Sequence, residues 1–129
     1  MELLGIWKLK EMVNVDENGF RMIGVPEIEA MADTEENKEF KQMVRAEFII
    51  SETSLSVYYM PLESEMAEAI EEGWEITEHG ICLDSFPTKI ENGQLMINYE
   101  RDGKDYFPLE LDAEGCLSIS GGIMKIQKA

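Results

Sequence analysis

The sequence predicts an all-β fold, an antiparallel up-and-down β-barrel of about eight to ten strands. Asn92-Gly93 and Asp102-Gly103 are the strongest short-range hairpin signals, because a type I′ turn needs positive φ at both central residues. After residue 80, turn signals recur at short intervals, and apolar and polar residues alternate in the segments between them. The chain of 129 residues is too short for two separate cores, so we expect one domain, 1–129.

The first predicted strand is followed by a helical insert. Asp33 or Thr34 can cap a helix that runs through Val44, because acidic residues follow in its first turn, where the helix dipole favours them. A shorter helical turn over residues 26–31 precedes it. One face of the first strand carries Trp7, Leu9, Glu11 and Val13.

The rest of the chain is predicted as two strands, a short helix and five or six further strands. Ser64 can cap the helix over residues 64–72, and Gly73 can end it. The strand faces, each read from period-two alternation, are Val44, Ala46, Phe48 and Ile50; Leu55, Val57 and Tyr59; Leu95, Ile97 and Tyr99; Phe107, Leu109 and Leu111; Leu117 and Ile119; and Met124 and Ile126.

The charge of the chain excludes two classes of partner. Eleven Lys and Arg stand against 27 Asp and Glu, which gives a net charge of −16. Nucleic acids and anionic membrane surfaces bind clustered basic residues, so we expect neither as a partner. Seven of the acids are glutamates between Glu63 and Glu78. This stretch is interpreted as a solvated surface, with a docking surface for a basic partner or a weak divalent-cation site as alternatives.

The sequence also indicates a compartment. The N-terminal residues lack the basic and apolar regions of a signal peptide, and no apolar run has the length of a membrane span. Cys82 and Cys116 fit neither a disulfide-rich scaffold nor a zinc framework. We therefore expect a cytoplasmic protein with reduced thiols, no membrane insertion, and either a monomer or a dimer.

The segment Gly5-Ile6-Trp7-Lys8-Leu9 resembles the Gly-x-Trp signature of the calycin superfamily, the lipocalins and fatty-acid-binding proteins. A first strand, a helical insert and a long meander also resemble the order of elements in fatty-acid-binding proteins, and the chain is most similar to bacterial lipocalin-like barrels. The resemblance implies that Gly5 and Trp7 close the barrel. It also implies that a basic residue, Lys125 or Lys128, stacks on Trp7 through a cation–π contact.

The resemblance has one departure that bears on the ligand. Fatty-acid-binding proteins hold a carboxylate with an Arg-x-Tyr pair on the last strand, whereas this chain has Met124 and Ile126 there. We therefore expect a neutral, apolar ligand in the barrel lumen. The candidate lumen residues, taken from inward-facing positions, are Leu9, Glu11, Phe48, Val57, Tyr59, Ile97, Tyr99, Arg101 and Phe107.

Four of these candidates have two interpretations each. Glu11 is either an interior acid or lies where the first strand bends. Arg101 is in phase with an inward face and is the candidate internal cation for Glu11, but it also adjoins the Asp102-Gly103 turn, where an exposed side chain is expected. The hydroxyls of Tyr59 and Tyr99 can orient a ligand or can reach the rim of an ordinary core.

No motif for catalysis is present. The sequence has no phosphate-binding glycine loop and no nucleophile elbow. His79, Cys82 and Asp84 could each bind a metal, but one histidine and the lack of a Cys-x-x-Cys pair argue against a zinc site. The predicted function is a small-molecule binding module with no cofactor, no metal and no chemistry. The alternative is a structural or protein-interaction module whose barrel is filled by its own side chains, and a calycin-fold enzyme is a third candidate.

Overall fold

The computed structural model describes residues 3–119 and 122–129, which form an antiparallel sheet that curls into a half-barrel. The strands are β1 (Gly5–Asp16), β2 (Gly19–Gly24), β3 (Glu47–Ile50), β4 (Ser54–Tyr59), β5 (Ile76–Thr77), β6 (Gly80–Glu91), β7 (Gln94–Ile97), β8 (Phe107–Pro108), β9 (Leu117–Ile119) and β10 (Met124–Lys128). The helices are α1 (Val25–Glu29), α2 (Lys38–Arg45) and α3 (Glu63–Glu71), with a 3₁₀ turn over Glu35–Asn37. The strand order is β8-β7-β6-β4-β3-β1-β10-β9, with β2 paired to β1 and β5 paired to β6. The predicted all-β, antiparallel class is confirmed.

β1 connects three other strands. It pairs with β10 on one side, and on the other side with β3 along residues 5–8 and with β2 along residues 11–16. The prediction that helices follow the first strand directly is wrong, because β2 comes between. Ile23 is the only buried side chain of β2, so this strand lacks the alternation that reveals a half-buried strand.

Helices α1 and α2 lie between β2 and β3 and pack onto one end of the curled sheet. Ile28 of α1 is fully buried, and Phe40, Met43 and Val44 of α2 pack against the same core. The helix predicted from Asp33 or Thr34 begins later, at Lys38, because residues 35–37 form the 3₁₀ turn. These two helices shield the core at this end.

The helix α3 follows β4 at the same end of the sheet. It begins at Glu63, and Leu62 rather than Ser64 stands at its N-cap. The Leu62 N–H donates a hydrogen bond to Oε1 of Glu65 at 3.1 Å, which satisfies a backbone donor near the helix start. Gly73 follows the helix with a φ of 80°, as the predicted terminating glycine should.

Gly80, at the start of β6, lies against the backbone of β4. Its φ is +106°, and a Cβ atom at this position would lie 2.3 Å from the carbonyl oxygen of Tyr59. A side chain cannot fit there without moving backbone atoms. The contact fixes the end of β4, and therefore Tyr59, against β6.

The two hairpin dipeptides have different outcomes. Asn92 and Gly93 have φ values of 53° and 79° and join β6 to β7, so this tight turn is confirmed. Asp102-Gly103 lies inside a longer connection, 98–106, between β7 and β8, and the prediction of a two-residue turn there is wrong. Oδ1 of Asp102 accepts hydrogen bonds from the Lys104 N–H and from Nδ2 of Asn98, which stabilise the longer loop instead.

The two ends of the strand order are β8 and β9. Leu111, a few residues after β8, forms an isolated β-bridge with Leu117 of β9. At the next residue pair, the Asp112 N–H donates a hydrogen bond to the Cys116 carbonyl at 2.9 Å. In residues 3–119 and 122–129, this bridge and this hydrogen bond connect the segment after β8 to β9.

The concave side of the sheet is filled by the chain's own side chains. Alternate residues of the strands point inward, as period-two patterning requires, and the buried hydrophobic residues form one continuous cluster. The largest fully buried side chains are Trp7, Ile23, Ile28, Phe48, Ile50, Leu55, Leu95, Ile97, Leu109, Leu117, Ile119 and Ile126.

No helix in residues 3–119 or 122–129 is long and apolar enough to cross a membrane.

Candidate ligand-binding cleft

An open cleft of about 800 Å³ lies at the helical end of the sheet. Its walls are α1, the 3₁₀ turn, α2 and the first residues of α3. A volume of this order is within the range of small-molecule sites, which are roughly 300–1,000 Å³. The cleft lies outside the filled core, so a molecule bound there would contact helices rather than the inner faces of the strands.

The apolar part of the cleft is formed by Ile28, Val44 and Leu62. Ile28 belongs to the core cluster, and Val44 packs against it. Leu62 is 49% exposed, although it is a large apolar side chain. Val44 and Leu62 therefore offer a bound molecule apolar surface, while fully buried Ile28 joins this wall of the cleft to the core.

A row of cations lines the cleft along α2. Lys38, Lys41 and Arg45 follow each other at helical spacing, so their side chains lie on one face of the helix. Nζ of Lys41 forms an ion pair with Oδ1 of Asp33 at 3.0 Å. The same lining carries four acids, Glu29, Asp33, Glu35 and Glu65, so the cations form a row on one wall of a cleft of mixed charge.

Arg45 belongs to a polar cluster with Glu65 and Tyr59. The guanidinium lies over the Tyr59 ring, 5.0 Å from its centroid, and Nη1 is 3.9 Å from Oε1 of Glu65. That same oxygen accepts a hydrogen bond from the Tyr59 hydroxyl at 2.5 Å. The cluster therefore joins β4, α2 and α3 at the side of the cleft.

Two groups in this cluster have shifted pKa values. Burial and the hydrogen bond to Glu65 raise the pKa of the Tyr59 hydroxyl. Burial acts against ionisation of Glu65, but the hydrogen bonds from Tyr59 and Leu62, with the charges of Arg45 and Lys38, hold the pKa of its carboxyl below the usual value. Near neutral pH the cluster therefore contains an ionised Glu65 and a neutral Tyr59.

Four of the predicted lumen residues are in the core. Leu9, Phe48, Val57 and Ile97 are buried in one cluster that continues to the helices. They pack against one another and against their neighbours. Tyr59 is also buried, and its hydroxyl reaches Glu65 beside the cleft.

The other predicted lumen residues lie elsewhere. Arg101 is exposed, has a φ of 58°, forms an ion pair with Asp84 and stacks on Phe86. Tyr99 is half-buried, with ring contacts to Phe86 and to Phe107, which is 52% exposed. Tyr99 therefore packs against the core cluster, whereas Arg101 and Phe107 are exposed.

Glu11 and the closing end of the sheet also differ from expectation. Oε1 of Glu11 is 3.5 Å from Nζ of Lys125, so its cationic partner is Lys125 and not Arg101. The cation over the Trp7 ring is Lys128, at 5.1 Å from the ring centroid, whereas Lys125 also contacts Asp112. Of the two alternatives, Lys125 and Lys128, the residue that stacks on Trp7 is therefore Lys128.

Gly5 belongs to this closing contact. Its φ is +129°, and a Cβ atom there would lie 3.3 Å from Nζ of Lys128. The Lys128 ammonium also donates a hydrogen bond to the Leu4 carbonyl at 2.6 Å, and Trp7 Nε1 donates to the Leu3 carbonyl at 2.8 Å. Glycine thus leaves room for Lys128 between the chain and the indole.

The His79, Cys82 and Asp84 side chains do not form a metal site. The His79 ring lies against Tyr58 and its Nε2 is 3.5 Å from Glu78, while Sγ of Cys82 donates to the Asp84 carbonyl. In the described parts of the chain, no group of three His, Cys, Asp or Glu residues is placed to hold a metal ion. Both cysteines are free thiols, Cys82 exposed and Cys116 buried.

Sequence reasoning missed the cleft. The basic residues of this helix have no role in the sequence-based prediction, yet Lys38, Lys41 and Arg45 repeat at intervals of three and four residues. This spacing was a visible signal. The position of α3 opposite that face was not visible, because no local pattern specifies it.

We compared the chain with known proteins. No family model matches it, no curated protein matches it, and no solved structure matches it.

Proposed function

We propose that the protein is a small-molecule binding module, without chemistry of its own, and that it binds its ligand in the helical-end cleft. The observation that carries the proposal is the contrast between a filled interior and an open cleft with apolar residues on its walls. The proposal therefore places the ligand at the helical end of the sheet, whereas the sequence predicts it in the lumen. No cofactor or metal is part of this proposal.

We further propose that the fold is a calycin-type barrel. Three features support the resemblance: buried Trp7 on β1, a cation from β10 over its ring, and two helices that pack onto one end of the curled sheet. Fold resemblance is a weak argument for function, because barrels host many activities. The binding proposal therefore depends on the cleft and not on the resemblance.

The test is titration of the full-length protein with phenylnaphthylamine, a neutral apolar dye that brightens when it leaves water. We expect saturable binding that Leu62→Asn weakens by roughly three- to tenfold, because one apolar contact is lost. Asparagine is favoured at a helix N-cap, so this variant should fold. Leu83→Asn, at an exposed leucine on β6, is the matched control and should leave binding unchanged. No binding, or equal loss in both variants, contradicts the proposal.

The packed interior favours a second candidate, a structural or protein-interaction module that binds no small molecule. Small barrels of about eight strands are often just wide enough to be filled by side chains. Native mass spectrometry of protein from its own host distinguishes the two. An extra mass that disappears on denaturation supports ligand binding, and the same spectrum gives the oligomeric state. The cytoplasmic location and the choice between monomer and dimer stay predictions from the sequence.

A further inference from the structure

We propose that the ligand of the cleft is an amphipathic organic anion, and that Arg45 and Lys38 bind its oxyanion group. The inference rests on the proposed function and names the chemical class of the ligand. It differs from the neutral ligand that the sequence predicts, because the cations responsible lie on α2 rather than on the last strand.

The first argument is the unsatisfied guanidinium of Arg45. Its Nη1 atom is buried and has no hydrogen-bond partner in residues 3–119 or 122–129. The acid closest to serving it is Glu65, whose Oε1 is 3.9 Å away, beyond hydrogen-bond distance. That oxygen already accepts from Tyr59 and from the Leu62 N–H. Arg45 therefore has donor capacity that the protein does not use.

The second argument is the division of work along the α2 face. Lys41 is already paired with Asp33. Lys38, about one turn earlier, is exposed at the cleft, and no ion pair of Lys38 is found within the described parts of the chain. Lys38 and Arg45 are separated by two turns of one helix face, with the paired Lys41 between them.

The acids of the cleft do not reverse this argument. Asp33 is used by Lys41, and Glu65 is used by Tyr59 and Leu62. Glu29 and Glu35 are exposed, so water screens their charges. Arg45 is only 34% exposed, and its charge acts through a less polar surrounding. Nη1 of Arg45 is therefore a donor of the cleft without a hydrogen-bond partner among the described residues, and its charge is partly balanced by ionised Glu65, 3.9 Å away.

The apolar residues of the cleft complete the specificity. Val44 and Leu62 can contact the apolar body of a ligand while its oxyanion group lies at Arg45. The chain carries a net charge of −16, which repels small anions in general. An anion without an apolar body should therefore bind weakly.

The experiment uses two dyes that differ in one group. Anilinonaphthalene sulfonate carries a sulfonate, and phenylnaphthylamine has the same aromatic body without it. With the full-length protein, we expect the sulfonate dye to bind about tenfold more tightly, since a charge-assisted hydrogen bond is gained. Arg45→Gln should remove most of that difference and Lys38→Gln part of it, while the affinity for phenylnaphthylamine stays within about twofold.

Lys89→Gln is the matched control, because it removes one positive charge on β6 outside the cleft and should change neither affinity. Since Lys38 is exposed, Lys38→Gln keeps the test informative if Arg45→Gln does not fold. Equal affinity for both dyes, or equal loss of both in Arg45→Gln, overturns the anion inference and leaves cleft binding intact. Binding of neither dye overturns both proposals.

Discussion

The interior of the curled sheet and the cleft at its helical end use their side chains in different ways. Inside, large apolar residues such as Phe48 and Ile97 are completely buried and belong to one cluster. At the helical end, Leu62 stays half-exposed and Arg45 keeps a buried donor without a partner. The interior thus shows the close packing that stability requires, although Oδ1 of buried Asn98 also lacks a hydrogen-bond partner in residues 3–119 and 122–129, and the cleft leaves apolar surface and a donor available.

This difference teaches where to look for function in a small curled sheet. A filled interior leaves little room for a ligand, so the regions that cover its ends become the candidates. Here the covering elements are short helices, and one of them carries three cations on its cleft face. Four variants test whether stability depends mainly on the interior while ligand binding depends on the cleft.

The largest effect is expected in the interior. Phe48→Ala removes a completely buried ring and should lower the free energy of unfolding by about 3–5 kcal/mol, because a cavity replaces it. Leu62→Ala, in the cleft, should cost roughly 1 kcal/mol or less. Urea denaturation of both variants measures the contrast. Similar losses in the two variants would contradict the division between a packed interior and an open cleft.

A smaller effect is expected where Gly80 of β6 lies against the backbone of Tyr59. Gly80→Ala would place a Cβ atom 2.3 Å from the Tyr59 carbonyl oxygen, at a φ of +106°. We expect a loss of about 1–3 kcal/mol in the free energy of unfolding, from strained backbone. Gly93→Ala, also at positive φ but with open space around it, is the control and should cost less. Equal costs would show that the close approach to β4 does not matter.

The polar cluster should give an effect near 1 kcal/mol that depends on pH. Tyr59→Phe removes the hydrogen bond to Glu65 and should lower the free energy of unfolding by about 1 kcal/mol at neutral pH. The folded-state pKa of Glu65 is below the usual value of 4.5, so its contribution is present above that pH and disappears as the pH falls through the lowered pKa.

The variant should therefore differ from the wild type at neutral pH and approach it in acid. Chemical denaturation at several pH values measures this. Tyr58→Phe, on the neighbouring position of β4, is the control. A difference that stays constant into acid would remove the link between the Tyr59 hydroxyl and ionised Glu65.

The smallest effect is expected at the end of the sheet where Lys128 stacks on Trp7, away from the cleft. Lys128→Met removes the cation over Trp7 and should lower the free energy of unfolding by about 0.5–1 kcal/mol. Dye binding in the cleft should not change. The start of β1 pairs with the last residue of β3, Ile50, whereas α2 precedes the first residue of β3, so Lys128 and the cleft lie at opposite ends of that strand. Tryptophan fluorescence follows unfolding, and dye titration follows binding. A loss of binding would couple the two ends and break the comparison.

The sequence predicts those parts of the fold whose pattern is local. Asn92-Gly93 specifies its own turn through positive φ, and the alternation around Phe48 and Leu55 marks two strands that the structure contains. β2 was missed because Phe20 is 80% exposed and only Ile23 turns inward. β2 pairs with β1 and buries one side chain, so its sequence does not show the alternation of apolar and polar residues that predicts a strand.

The candidate site was less predictable because it depends on contacts between distant segments. Arg101 was placed by extending the alternation of Leu95 and Ile97, but β7 ends at Ile97 and the backbone then changes direction. Period-two reasoning holds only inside a strand. The α2 cations were visible in the sequence, whereas their meeting with Leu62 and Glu65 depends on how α3 follows β4.

The pairing of β1 with β10 has a consequence for synthesis on the ribosome. Trp7 pairs with Lys128, so residues near the start of the chain find their neighbours only after residues 124–128 have left the exit tunnel. Until then one side of β1 is an unpaired strand edge, open to other nascent chains. Contacts of such long sequence separation form slowly. We therefore expect the sheet to be completed only when β10 becomes available, and the nascent chain to benefit until then from factors that shield exposed strands.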